Sequence, residues 1–153
     1  DNTPSLMALS RQGLPTLRED ASDNMTARGM YVLRGCEGAP DVTLMATGSE
    51  VEIALQAAET LMASGVKATV VSAPCFELFD QQDATYRNYV LGTAPRVAVE
   101  AGVVTGWEKY LGENSAFIGM NSFGASAPAD ELYAHFGITA KATVAAAQAL
   151  LNT

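Results

Sequence analysis

"DVTLMATGSEVEIALQAAETLMASG", residues 41–65, changes its hydrophobic period halfway along. Asp41 to Gly48 is dense in apolar and β-branched side chains and reads as a strand. From Glu50 to Ser64 the apolar positions Val51, Ala54, Leu55, Ala58, Leu61 and Met62 recur on one face of a helix, which Gly65 closes. A strand that runs straight into an amphipathic helix is the first half of a parallel crossover.

The same alternation continues downstream. "KATVVSAP" (67–74) is a strand and "DQQDATYRNYV" (80–90) a helix opening at Asp80. "RVAVEAG" (96–102) is a strand, followed by a short helical piece over Trp107 to Leu111. "AFIGM" (116–120) is a short strand, "PADELYAHFG" (128–137) a helix, and Thr139 to Leu151 an alanine-rich final helix. Strands alternating with helices predict an α/β domain of three layers, a mostly parallel sheet with helices on both faces. Upstream, "MYVLRG" (30–35) has strand composition, but only the turn "GCEGAPD" (35–41) separates it from the next strand. That turn suits antiparallel pairing and not a crossover, so one antiparallel strand is expected.

Nearer the start, "LMALSRQGLPTL" (6–17) reads as a short buried strand ending on Ser10-Arg11-Gln12, and "REDASDNMTA" (18–27) as a polar linker. The chain opens "DNTPSLMALS", without Met and almost at once apolar, as expected of a cut through a longer protein.

The 153 residues carry 48% apolar and 17% charged side chains, ordinary for a folded domain with a real core. A net charge of −8 with no basic cluster argues against nucleic acid as a partner. No run approaches the ~18 apolar residues of a membrane span, and no charged-then-apolar leader opens the chain, so a soluble, cytoplasmic protein is expected. Cys36 and Cys75 stand far apart and form no metal-ligand spacing, which suits free, buried thiols in a reducing compartment.

Ligands of open α/β sheets bind at the carboxyl ends of the strands, so chemistry is sought there. "TGSEVE" lies where a phosphate-cradling loop would lie. Ser49 and Glu52, however, have the spacing of a capping box, and Glu50 and Glu52 would repel an anion. Glu100, at a strand end with Trp107 nearby, reads either as an acid or base or as a hydrogen-bonded, interface or loop-anchoring group. Ser122, Gly124, Ser126 and Pro128 supply helix-start chemistry. The single histidine, His135, sits near a helix C-terminus with no second ligand or triad to join, and reads as a surface residue. Arg11 has two readings, a bidentate ligand for phosphate or carboxylate and a surface salt bridge.

Taken in order, "LSRQGLP", "GMYVLRG", "TLMATGSEVEIAL", "GVKATVVSAPCFELFDQQD", "RVAVEAG" and "FGASAPADELYAHFGIT" resemble the end of a bacterial-type transketolase over essentially the whole chain. The resemblance implies a last strand and exit of the pyrimidine-binding domain at residues 1–20, a linker at 21–28 and a transketolase C-terminal domain at 29–153. It implies a parent enzyme that transfers two-carbon ketol groups between phosphorylated sugars in the pentose phosphate pathway and Calvin cycle. That parent is a homodimer using thiamine diphosphate and a divalent metal, Mg or Ca. By this resemblance Arg11 of "SRQ" binds the sugar phosphate. The GDG…NN cofactor segment and the catalytic glutamate and histidines are absent from the chain, so it is expected to hold no catalytic, cofactor or metal residue, to be inactive alone and to serve a structural or dimer-interface role. Two other readings remain: the C-terminal domain of another thiamine diphosphate enzyme (a 2-oxo acid dehydrogenase beta subunit or a deoxyxylulose phosphate synthase), and a free-standing regulatory or ligand-binding domain.

Overall fold

Five strands form one sheet in the computed structural model, which describes residues 4–152. In chain order they are β1 (Tyr31–Arg34), β2 (Val42–Ala46), β3 (Ala68–Ser72), β4 (Arg96–Val99) and β5 (Ser115–Ile118), and across the sheet they run β1-β3-β2-β4-β5. β3, β2, β4 and β5 are mutually parallel, and β1 pairs antiparallel with β3. Helix α1 (Glu50–Ala63) links β2 to β3, and α2 (Phe76–Asp80) and α3 (Ala84–Leu91) link β3 to β4. Helix α4 (Glu108–Leu111) lies between β4 and β5, and α5 (Ala129–Phe136) and α6 (Ala140–Leu151) follow β5.

Strand pleating divides the interior in two. Val42, Leu44, Ala46, Val70, Val97 and Val99 join Ala54, Leu61, Ile138 and Ala147 in one core, under α1 and α6. Met45, Val71 and Ala98 point the other way and meet Phe79, Val90, Trp107 and Tyr110 from α2, α3 and the α4 region. Each fully buried Val, Leu, Phe or Met contributes about 1.5–3 kcal/mol relative to exposure, so both helix layers are held chiefly by area removed from water. The expected three-layer arrangement, mostly parallel with one antiparallel strand, is the one observed.

Three local expectations are corrected. The antiparallel partner of β1 is β3, with Tyr31 opposite Ser72 and Val32 opposite Val71, and not the adjacent β2. Both edges of β2 are taken by parallel neighbours, and the turn from Gly35 to Asp41 is long enough to cross the one intervening strand, a span of about 10 Å. The helix expected to open at Asp80 is two helices. Asp80 ends α2, and Asp83 opens α3 by accepting the Tyr86 amide at 2.8 Å on its side chain. The strand expected over 6–10 does not form: residues 4–10 have no regular structure, and Leu6, Met7 and Leu9 are 100%, 77% and 77% exposed. A strand needs a neighbour to pair its amides and carbonyls, and among the described residues none lies beside it. Residues 1–3 of the expected domain remnant, and Thr153 of the expected C-terminal domain, lie outside the described residues.

The polar stretch ends in a 3₁₀ turn at Met25–Arg28, and Gly29 follows at φ +83°. There the chain passes α2 so closely that a Cβ on Gly29 would stand 2.2 Å from the Phe79 amide nitrogen and 2.4 Å from the Cys75 carbonyl oxygen. The Cys75 amide donates to the Gly29 carbonyl at 2.9 Å, tying this entry point to the start of α2.

Candidate functional site

The carboxyl ends of β2 and β4 open beside each other, and each delivers a glutamate. After β2, Gly48 takes φ +55° and Ser49 is already helical at φ −66°, ψ −26°. Ser49 therefore cannot cap the helix from an extended conformation, and the expected capping box is absent. Its hydroxyl donates instead to Glu50 Oε1 at 2.8 Å, while Glu52 accepts from Gln56 at 3.4 Å.

Glu50 is 5% exposed. Its carboxylate is satisfied from α5, where the Tyr133 hydroxyl donates to the same oxygen and stands 3.1 Å from the Ser49 hydroxyl. Burial first, and then the bond to Glu50, raises the Tyr133 phenol above its ordinary pKa, so Tyr133 acts as a fixed donor. Sequence reasoning missed Tyr133; the signal was Glu50, a carboxylate in the first turn of a buried helix that had to find a donor.

Glu100, after β4, accepts the indole N–H of fully buried Trp107, so it anchors the loop before α4. That is the hydrogen-bonded reading of the sequence. Ser122, Gly124, Ser126 and Pro128 are all exposed, and Pro128 directly precedes α5. His135 is exposed in the last turn of α5 and packs edge-on against Phe136 with ring centroids 4.8 Å apart. Cys36 and Cys75 are free, but half-buried and not buried as expected, because both lie in loops bordering the sheet. Among the described residues no three His, Cys, Asp or Glu side chains are grouped to hold a metal ion.

The "SRQ" segment lies across this end of the sheet. Ser10 comes close to the loop after β2, its Oγ 3.6 Å from where a Cβ on Gly48 would be. Gln12 stands near Tyr133, with which it shares a cleft, and slightly offsets the burial that raises the phenol's pKa. Gln12 also lines two adjoining clefts of about 220 and 380 Å³. The first is mostly apolar, with Met120, Leu132 and Phe136, and the second borders α1. Arg11, between two residues that touch the domain, is exposed and makes no ion pair with the described residues. The structure thus brings Ser10, Gln12, Ser49, Glu50 and Tyr133 together and leaves the Arg11 guanidinium facing outward.

Comparison with known proteins agrees with this architecture. Residues 29–139 match the family model of the transketolase-like C-terminal domain. The chain is 57% identical over 153 residues to a transketolase of Sinorhizobium medicae, covering 99% of this chain and 22% of that protein. It superposes with a TM-score of 0.83 and 34% identity on the transketolase of Pichia stipitis in complex with sedoheptulose-7-phosphate, covering 93% of this chain and 20% of the other. It is also similar to the inactive β4 tetramer of a split-gene transketolase, at 25% identity and a TM-score of 0.73, with 93% of this chain and 48% of that one covered. The chain therefore spans about a fifth of the length of the curated transketolases it matches. With its sheet order, its two helix layers and these matches in agreement, the chain belongs to the transketolase C-terminal domain family.

Proposed function

We propose that the chain is the C-terminal portion of a transketolase, a homodimeric cytoplasmic enzyme of the pentose phosphate pathway and Calvin cycle that moves two-carbon ketol groups between phosphorylated sugars. The observation that carries this reading is the identity of 57% over 153 residues to a transketolase, of which the chain accounts for 22%. Within that enzyme residues 1–20 end the pyrimidine-binding domain, 21–28 link, and 29–153 form the C-terminal domain. The exposed Leu6, Met7 and Leu9 support the boundary, since an apolar segment without partners suits a strand of a neighbouring domain. Arg11 is the substrate ligand, its planar guanidinium offering two parallel N–H bonds to a sugar phosphate.

Thiamine diphosphate and its Mg or Ca ion supply the carbanion chemistry of such an enzyme when bound. The residues present here do not fit that group: no cluster of metal-ligating side chains occurs among the described residues, and the one histidine is an exposed residue of α5. The cofactor belongs to other parts of the full enzyme. The chain by itself has no ketol transfer activity and acts as a structural and dimer-supporting domain, a reading that the inactive split-gene relative supports.

The test is ketol transfer by the full-length enzyme carrying this chain, compared with the chain alone. Activity in the first and none in the second is expected; turnover by the isolated chain would overturn the assignment. Arg11→Ala in the full-length enzyme should raise KM for phosphorylated donors much more than for hydroxypyruvate. Equal effects on the two donors would remove the phosphate role.

A further inference from the structure

By composition the stretch from Arg18 to Arg28 is a polar linker, yet both of its arginines are committed to definite partners. Arg18 is half-buried between exposed neighbours. One terminal nitrogen of its guanidinium donates to the carbonyls of Asp20 at 3.0 Å and Asp23 at 2.9 Å, so the backbone curls around it. The same guanidinium stands over the ring of Tyr31, the first residue of β1, 5.4 Å from the ring centroid. Within the curl the Ser22 amide donates to the Asp20 side chain at 2.8 Å, and the Met25 amide to the Asp23 carbonyl at 2.9 Å. At the far end Arg28 lies over the Tyr86 ring of α3 at 5.0 Å, its guanidinium 3.9 Å from the Asp23 carboxylate. Tyr86 also holds the exit of the stretch, its hydroxyl donating to the Met30 carbonyl at 2.9 Å. Asp23 thus serves both arginines, one through its carbonyl and the other through its carboxylate.

We infer that residues 18–31 form a clasp that fixes the direction in which the chain upstream of Arg18 leaves this domain. A polar segment without such contacts would sample many directions and join its two ends only as a flexible tether. Here a cation sits on an aromatic face at each end, a contact worth about a twofold to fivefold bias at an exposed site. The bonds from the Arg18 guanidinium add to this, since a charged donor bonds more strongly than a neutral one. The two ends support each other because both arginines converge on Asp23, so releasing one loosens the anchor of the other. Under the domain assignment proposed above, the clasp straddles the boundary at residue 20 and makes the joint between the two domains stiff and not hinged. That consequence rests on the assignment; the clasp itself does not.

The experiment is hydrogen exchange, read by mass spectrometry, on the full-length enzyme carrying this chain. A peptide over residues 19–28 reports the clasp, and one over β2 reports global stability. Wild type should show protection at 19–28, where the Ser22, Met25 and Ala27 amides are all bonded. Arg18→Gln removes a charged donor that serves two carbonyls and should speed exchange there about tenfold, with β2 unmoved. Arg28→Gln should speed it about threefold. Asp23→Asn keeps the carbonyl and weakens only a long, exposed ion pair, so its effect should stay under about twofold. Exchange of 19–28 at the unstructured rate in wild type, or rates unmoved by Arg18→Gln, would overturn the clasp. Ketol transfer by the same enzyme tests the assignment separately. Protection without transfer sinks the joint between domains and spares the clasp, whereas transfer without protection sinks the clasp alone.

Discussion

Arg96 and Tyr110 are joined by a 2.8 Å bond from the guanidinium to the backbone carbonyl, which ties the first residue of β4 to the last turn of α4. The same guanidinium reaches the carbonyls of Leu91 at 3.1 Å, Gly92 at 2.7 Å and Leu111 at 3.4 Å. The ends of α3 and α4 both leave carbonyls without intrahelical partners, and both carry partial negative charge. One half-buried cation satisfies the two together. Burial depresses its pKa, yet an arginine stays protonated throughout the range in which the protein is folded.

Replacing Arg96 with Met keeps most of the stem and removes every one of these donors. The loss should be about 2–4 kcal/mol, since hydrogen bonds from a charged group are each worth roughly 1.5–3 kcal/mol and share one desolvation cost. Lys offers no fork and should recover less than half. Denaturant unfolding of the three proteins checks this; a Met variant within about 0.5 kcal/mol of wild type would show the cap to be dispensable.

Gly29→Ala should be among the most damaging small substitutions in the chain. Its Cβ would enter the backbone of α2 at Cys75 and Phe79, atoms that cannot swing aside, and φ +83° is itself unfavourable for alanine. Strain and overlap together should cost about 3 kcal/mol or more. Gly65 also has a positive φ, +86°, but no atom stands within 4 Å of its Cβ position, so Gly65→Ala should cost only about 1 kcal/mol. Thermal midpoints of the two variants should separate clearly; equal midpoints would contradict the close approach.

Much of this architecture was legible in the chain because burial has a period. Leu44 and Met45 face opposite cores, and the Val51, Ala54, Leu55, Ala58 and Leu61 stripe faces one. What pairs with what was less legible. "GCEGAPD" permits an antiparallel turn, but only the parallel neighbours on both sides of β2 send β1 outward to β3. Asp80 and Asp83 are equally good helix openers by composition, and the bond from the Tyr86 amide selects Asp83. Ser49 and Glu52 had the right spacing for a capping box, yet the spacing says nothing of φ and ψ at Ser49. Tyr133 was missed because Glu50, which signalled the need for a donor, is 83 residues away and no local pattern says which donor answers it. Arg11 was a candidate anion ligand by its chemistry alone, and only the motifs that follow it favoured that reading over a salt bridge.

Asp80 makes acid stability depend on one corner of α2. Its carboxyl accepts from Lys109 at 2.5 Å and from the Tyr110 hydroxyl at 2.9 Å, and the Lys109 bond is the main cause of a pKa below the usual 3.8. The unfolded chain therefore takes up this proton first as pH falls. The stabilisation is complete above about 3.8 and disappears as pH drops through the lower folded value. Asp80→Asn should accordingly lose less of its thermal midpoint than wild type between about pH 6 and about pH 3. Parallel losses in the two proteins would place the acid sensitivity elsewhere.

Trp107→Phe should separate packing from hydrogen bonding at the loop after β4. The indole is fully buried, with Phe76 edge-on at 4.9 Å between centroids, and its N–H is held by Glu100. Phe leaves a gap and frees the Glu100 carboxylate, at a cost of about 2–3 kcal/mol. Glu100→Gln keeps an acceptor for the indole and should cost less than about 1 kcal/mol. The reverse order of the two, measured by chemical denaturation, would mean that the carboxylate charge itself matters.

The crevice between the ends of β2 and β4 has a guest that never has to be found. Open sheets ordinarily keep this place for a diffusing small molecule, whose occupancy rises and falls with its supply. Here Ser10 and Gln12 arrive on the same polypeptide, so the encounter is intramolecular and governed by an effective concentration, which for short tethers reaches about the millimolar range. Occupancy then depends on the length and stiffness of residues 13–28 and not on dilution of the protein. A free peptide of the same sequence would compete poorly, and lengthening that tether would lower the occupancy gradually, without altering a single contact.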